Sequence, residues 1–444
     1  MTMRLNLAAL ARLPNTVRRP EYDFRNLGIG IVHLGLGAFH RAHQALYTQE
    51  VLRGSGGDWG ILGASLRHDT VPNALAAQQQ LYTVETLGTD SSFELVGAIR
   101  ASLTAGSTGG AQRGQLLSAL SSSHTHIVTL TITEKGYCLG SNGELNFAHA
   151  EIGHDFDNPG EPLSAIGWLA AGLEERYRSH RRPVTIISCD NLQRNGEKLR
   201  RAVTEFLARS RPQMLAWLEE CVTFPQTVVD CIVPAPTELS RRRVQQALGA
   251  EDLACVQREP YSQWVIEDRF AGRRPAWEHA GVQIVPDVTD FNRLKLHVLN
   301  TCHSALAYLG LPRGYTLVRE AMADMELSQF LEALVAEEIA PALAPLAVGD
   351  YWRSVRTRFA NPRIDHRLSQ IAEDGAAKLV ERVFPLLIAN AAAGAPTAGL
   401  ARIVRGWLKV SGLDIDAALS DAALFPAPIR TNPTLRSAIA AGLS

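Results

Sequence analysis

GIGIVHLGLGAFHRAHQALYTQEVL, residues 28–52, decides the fold. It opens as a short Ile/Val-rich run, turns on Gly35 and Gly37, and continues with the spacing of an amphipathic helix. The two glycines fit the first two positions of a GxGxxG turn. Gly35 permits the tight bend, and Gly37 lets a pyrophosphate approach the backbone at a helix N-terminus. His40 stands where the third glycine would be. A lone GxG also describes an ordinary strand-to-helix turn; its place in the first strand–helix unit favours a dinucleotide.

Working outward, residues 59–66, 126–133, 183–189 and 227–233 are further short runs rich in Val, Ile and Thr, bounded by Gly, Pro or polar residues. Helical patterns such as 114–123 and 164–180 separate them. This alternation predicts an α/β architecture, a doubly wound and mostly parallel Rossmann-like sheet, over residues 1–285. From 286 to 444 the apolar spacing is helical throughout, at 294–310, 326–343, 367–384 and 399–410, with connections near 344–350 and 392–398. The expectation is a dinucleotide-binding domain followed by a mostly α-helical substrate-binding domain.

After the second predicted strand the chain reads SLRHD. Asp69 is the candidate ribose ligand, while Arg67 would tolerate a 2′-phosphate, so NAD is favoured and NADP stays open. His40 and His43, three apart on the predicted helix, could in principle bind a metal. No further ligands accompany them, so structural or cofactor-contacting roles are preferred and no metal is expected.

The chain holds 44 basic and 45 acidic residues in 444, a formal net charge of −1. That balance gives no basic field for nucleic acid. The first twenty residues lack a signal-peptide core, and no apolar run approaches the ~18 residues of a membrane span. Six scattered cysteines without a CxxC pair suit a reducing compartment. A cytoplasmic enzyme with a small-molecule substrate is expected.

Only five lysines occur, at 135, 198, 295, 378 and 409. One opens KLHVLNTCHSALAYLG. On an α-helix Lys295, Asn300 and His303 would stand at roughly 0°, 140° and 80°, sharing one side. A lysine in a dry site can abstract a hydroxyl proton while amide N–H groups polarise the oxygen. On spacing alone the plainer reading, a solvated Lys295 and a capping Asn300, prevails. SCDN (188–191) and TITEKGY (131–137) end predicted strands, which puts Asn191 and Glu134 at the edge where such sheets bind ligands. No YxxxK motif occurs, which removes the tyrosine–lysine arrangement of short-chain dehydrogenases.

Taken in order, IVHLGLGAFHRAHQALYT, LTITEKGYC, SAIGW, SCDNLQRNG, EPYSQWVIEDRF and KLHVLNTCHSALAYLG resemble the polyol-specific long-chain dehydrogenase (mannitol dehydrogenase) family over nearly the whole chain. The resemblance implies a metal-independent, usually monomeric NAD-dependent oxidoreductase. It implies Lys295 as general base, Asn191 and Asn300 as the carbonyl-polarising pair, and His303 as a substrate-orienting residue. For the cofactor it implies Gly35, Gly37 and Phe39 at the turn and Asp69 at the ribose; His40, Arg67, Glu134 and Asp230 join them as candidates. Three departures stand out: Asn292 where an acid is usual three residues before the lysine, Cys231 for an arginine, and Thr301–Cys302 for smaller residues.

NPRIDHRLSQIAEDGAAKL, TEKGYC and EPYSQWVIEDRF resemble the uronate branch, which interconverts D-fructuronate and D-mannonate, more than the mannitol or arabinitol branch. His366, Arg367 and Lys378 are then candidates for the substrate carboxylate, although cations on helices are commonly just solvated. A catalytically silent nucleotide-binding protein is the reading from another class; the intact Lys295, Asn300 and His303 argue against it.

Overall fold

The computed structural model describes residues 3–106 and 110–441, in two compact units, Met1–Val288 and Thr289–Ser444. In the first unit six strands form a parallel sheet: β1 (Ile29–Leu34), β2 (Gly60–Ser65), β3 (Ile99–Thr104), β4 (Ile127–Leu130), β5 (Val184–Ser188) and β6 (Val222–Thr223). Their order is β3-β2-β1-β4-β5-β6, so the winding reverses between β1 and β4. That is the Rossmann order, whose ligand crevice lies at the C-terminal ends beside the reversal. Strands are apolar on both faces because each face is covered: Val32 and Leu34 join one core cluster, Ile31 and Leu36 another.

Two expectations need correction here. Residues 227–233 are not a strand of this sheet. Thr227–Asp230 pairs antiparallel with Gln263–Glu267 in a separate three-stranded sheet. A short Val-rich run carries no information about its partner, and periodicity could not separate the two sheets. The helix after the glycine turn is also neither continuous nor amphipathic. Ala38–Ala42 ends at His43 (φ −129°, ψ −85°), and Gln44–Ser55 restarts with Gln44 to Gln49 all buried.

The second unit is helical. Thr301–Gly310 is buried nearly all round and packs against Ala398–Val410 and Leu368–Ala372. The expected helices over 326–343 and 367–384 are interrupted. The first passes from α (Met325–Ala333) to π (Leu334–Ile339); the second breaks at Asp374, which has φ +52°. The expected connection at 344–350 is shorter, since a helix already starts at Val348. Among the described residues no helix is long and apolar enough to cross a membrane.

Candidate active site

The first unit builds the glycine turn on a rigid base. Gly35 has φ +96°, and a β-carbon there would lie 2.1 Å from the Thr131 carbonyl oxygen that follows β4. His33 fastens the two chains together. Its Nε2 lies 3.0 Å from Gly35 O and 2.9 Å from Thr131 Oγ1, and its Nδ1 lies 2.8 Å from Thr129 Oγ1. A carbonyl can only accept, so Nε2 carries the proton; burial holds the imidazole neutral, with its pKa down to about 3.

His40 stacks on His33 at 3.4 Å between centroids, and both of its ring nitrogens are buried without a partner. His43 turns elsewhere, its Nε2 3.0 Å from Gln263 O, with Phe39 stacked on its ring. The break at His43 gives the two imidazoles different surroundings, His40 against His33 and His43 against Phe39 and Gln263.

Gly37 is exposed, and a β-carbon there would meet only Gly35 O at 3.7 Å. No side chain caps the helix it begins. First-turn N–H groups of such a helix favour an anion, so the turn fits a pyrophosphate. After β2, Asp69 is exposed and accepts a bond from Asn73 Nδ2 at 3.1 Å, while Arg67 is paired with Glu151 at 2.9 Å. Glu134 is exposed after β4. Asp230 is buried at the end of Thr227–Asp230 in the separate three-stranded sheet, a strand whose Thr227 hydroxyl donates to the Ser188 carbonyl at the end of β5 at 2.6 Å.

Asn191 follows β5 on a turn anchored from both sides. The Asp190 carboxylate accepts from the Ile132 and Thr133 amides at 3.0 and 2.9 Å and from the Tyr137 hydroxyl at 2.7 Å. Burial raises the Asp190 pKa, and these donors oppose that shift. Asn195 Nδ2 donates to the Asp190 carbonyl at 3.3 Å and to Thr227 Oγ1 at 2.9 Å.

In the second unit the helix Thr289–Leu294 leads into a π-helical segment, Lys295–Asn300, and returns to α geometry at Thr301. The expected wheel therefore changes. Hydrogen bonds in a π turn run i to i+5, so Lys295 and Asn300 stand one wide turn apart instead of roughly 140° around an α-helix. Both are half-buried.

Arg382 clasps this segment. Its carbonyl accepts from Thr301 Oγ1 at 3.1 Å and faces His297 Nδ1 at 3.2 Å. Its guanidinium donates to Ser304 Oγ at 3.1 Å and approaches the Asn300 carbonyl at 3.5 Å. Thr301, one of the departures from the family pattern, thus helps to seat the turn.

His303 is 7% exposed, and its Nε2 has no partner. Its ring lies 4.3 Å from Phe359 and 5.0 Å from His366. Burial, then His366 and the charges of Arg358, Arg382 and Lys378 beside it, hold its pKa well below the usual imidazole value; burial and Lys378 bring His366 to about 4. Of the expected substrate cations, His366 and Lys378 gather at His303. Arg367 is exposed at the N-cap position of the helix Leu368–Ala372, where its side chain makes no capping bond. The sequence missed Arg358 and Arg382, which arrive from two other helices with no local signal.

Residues 29–279 match the mannitol dehydrogenase Rossmann domain, and residues 287–423 match the mannitol dehydrogenase C-terminal domain. The chain belongs to the mannitol dehydrogenase family. Within it, the chain is 40% identical to the oxidoreductase YeiQ of Escherichia coli (strain K12) over 416 residues, covering 92% of this chain and 85% of the relative. D-Mannonate oxidoreductase of the same organism is 39% identical over 407 residues, covering 90% and 83%. Pseudomonas fluorescens mannitol 2-dehydrogenase, solved as a ternary complex with NAD and D-mannitol, superposes with a TM-score of 0.88 at 32% identity, covering 98% of this chain and 95% of that one. This is a family of oxidoreductases acting on CH–OH groups, and the Rossmann and helical units are its two domains.

Proposed function

We propose that the chain interconverts D-fructuronate and D-mannonate with NAD. The observation that carries the reading is the cationic neighbourhood of His303, where Lys378, Arg358 and Arg382 lie around a buried imidazole. A carboxylate-bearing sugar suits that field, and a neutral polyol gains little from it. The likeness to D-mannonate oxidoreductase points the same way. NAD is favoured over NADP because Asp69 follows β2 while Arg67 is held by Glu151.

When bound, the nicotinamide accepts or supplies the hydride. Lys295 removes the hydroxyl proton in oxidation and returns it in reduction. Asn300 offers amide N–H groups to the reacting oxygen and Nε2 of the neutral His303 orients a neighbouring hydroxyl; Asn191 is the second amide donor that the family resemblance implies. Phe39, Gly35 and Gly37 hold the dinucleotide, with His40 beneath the turn and Glu134 at the edge.

NADH oxidation is the test. Fructuronate should be turned over with kcat/KM at least about tenfold above fructose, a difference of ~1.4 kcal/mol in transition-state binding. Lys378→Met should raise KM for fructuronate by about tenfold with kcat little changed. Turnover of fructose alone would establish the polyol reading, which the likeness to mannitol 2-dehydrogenase supports. No turnover of any ketose or uronate would favour a silent nucleotide-binding protein.

Arg382→Met tests the clasp. It removes the bonds to Ser304 and Asn300, so kcat should fall by about tenfold through misplacement of the π turn. A dinucleotide titration should be unchanged. Unchanged kcat would show that the turn holds its shape without the guanidinium.

A further inference from the structure

Three potential metal ligands converge in the first unit. Cys138, His149 and Glu151 each offer a donor atom, and the three atoms lie within 4.8 Å of one another. The loop is tied so as to bring them together. Leu139 bridges Leu145, the Asn146 amide donates to Cys138 O at 2.9 Å, and the His149 amide donates to Asn146 O at 3.0 Å. His149 therefore returns over Cys138, and Glu151 follows in the first turn of the helix Ala150–Asp157.

Each donor also has a local peculiarity. Cys138 is 3% exposed and sits in the left-handed region at φ +53°, a conformation a non-glycine residue holds only when its surroundings impose it. His149 Nδ1 is buried with no hydrogen-bond partner, a costly state for an imidazole nitrogen. Glu151 is engaged by Arg67 in a solvent-exposed ion pair, which a metal ion can displace.

A thiol, an imidazole and a carboxylate together make the donor set of a soft-to-borderline divalent ion, with one position left for water. Metal–sulfur and metal–nitrogen bonds of about 2.3 and 2.1 Å hold such donors ~3.5 Å apart. A contraction of roughly 1 Å closes the site.

We propose that Cys138, His149 and Glu151 form a site for a thiophilic divalent cation of the zinc class, filled in exchange for the Arg67–Glu151 ion pair. Cys138 releases its proton to solvent as the sulfur–metal bond forms, and Glu151 exchanges the guanidinium for the ion. The site involves none of the residues proposed for catalysis, although it shares the Arg67–Glu151 pair with the case for NAD.

The experiment is a cadmium titration of the metal-free full chain, followed by the ultraviolet thiolate-to-cadmium charge-transfer band, with zinc as competitor. One equivalent should give the band, and zinc should abolish it. Cys138→Ser should remove that equivalent, and His149→Ala should weaken it by at least about tenfold. Because Cys138 is buried, circular dichroism accompanies its variant, and the half-exposed His149 provides the second arm. Absence of the band in the wild type, or an undiminished band in either folded variant, would overturn the proposal.

Discussion

Lys295→Ala should lower kcat by about 10³-fold while dinucleotide affinity stays within about twofold of the parent. Lys295 is the first residue of the π segment and half-buried, one wide turn from Asn300. Lys135 and Lys409 are exposed, Lys198 lies on the helix Asn195–Ser210, and Lys378 belongs to the charge cluster at His303. Lys295→Arg separates two roles that alanine removes together. Arginine keeps the positive charge but stays protonated, so it cannot accept the substrate's proton. A base requires both variants to be inactive; an active arginine variant would make Lys295 an electrostatic group. Stopped-flow hydride transfer and dinucleotide fluorescence titration read the two effects separately. Near-normal turnover of Lys295→Ala would remove the base from the mechanism.

The residues that were legible in the sequence are those whose signal is local. Gly35 and Gly37 follow an apolar run and precede a helix, and that order, in the first unit of an alternating strand–helix series, points to a dinucleotide fold. Four of the six strands of the parallel sheet read as short β-branched runs because burial on both faces keeps them apolar; Ile99–Thr104, polar and half-buried at its centre, and the two-residue Val222–Thr223 do not. Lys295, Asn300 and His303 were found together because they share one helix, although their angular relation was misread. A wheel of 3.6 residues per turn cannot register a π segment, whose spacing is set by tertiary contacts such as the Arg382 clasp. Arg358 and Arg382 escaped notice for the same reason: nothing near them in the chain announces His303. Cys138, His149 and Glu151 span a tied loop of ordinary composition, and only its closure makes them neighbours.

Gly35→Ala and Gly37→Ala should part company, and the contrast tests what the glycine turn is for. At Gly35 the new methyl would lie 2.1 Å from the Thr131 oxygen and 2.7 Å from its carbonyl carbon, in a backbone already at φ +96°. Neither partner can retreat. The Thr131 amide donates to Leu34 O at 2.9 Å, its hydroxyl donates to Gly35 O at 2.8 Å, and His33 is bonded to both. Strain from the left-handed conformation, of order 1–3 kcal/mol, adds to displacement of β1 from β4, so a loss of about 3 kcal/mol or more is expected. Denaturant unfolding of the full chain should show it as a lower midpoint. At Gly37 the φ is −94°, and the methyl meets nothing closer than 3.7 Å, so the same substitution should leave the midpoint within ~0.5 kcal/mol of the parent. What it adds is a methyl on the exposed side of the turn, where a pyrophosphate must touch backbone. NADH affinity should therefore fall by about tenfold or more in Gly37→Ala although the protein folds normally. If Gly37→Ala bound NADH as tightly as the parent, the turn would be a structural corner and the pyrophosphate would lie elsewhere. If Gly35→Ala were as stable as the parent, the β1–β4 junction would be softer than its hydrogen bonds require.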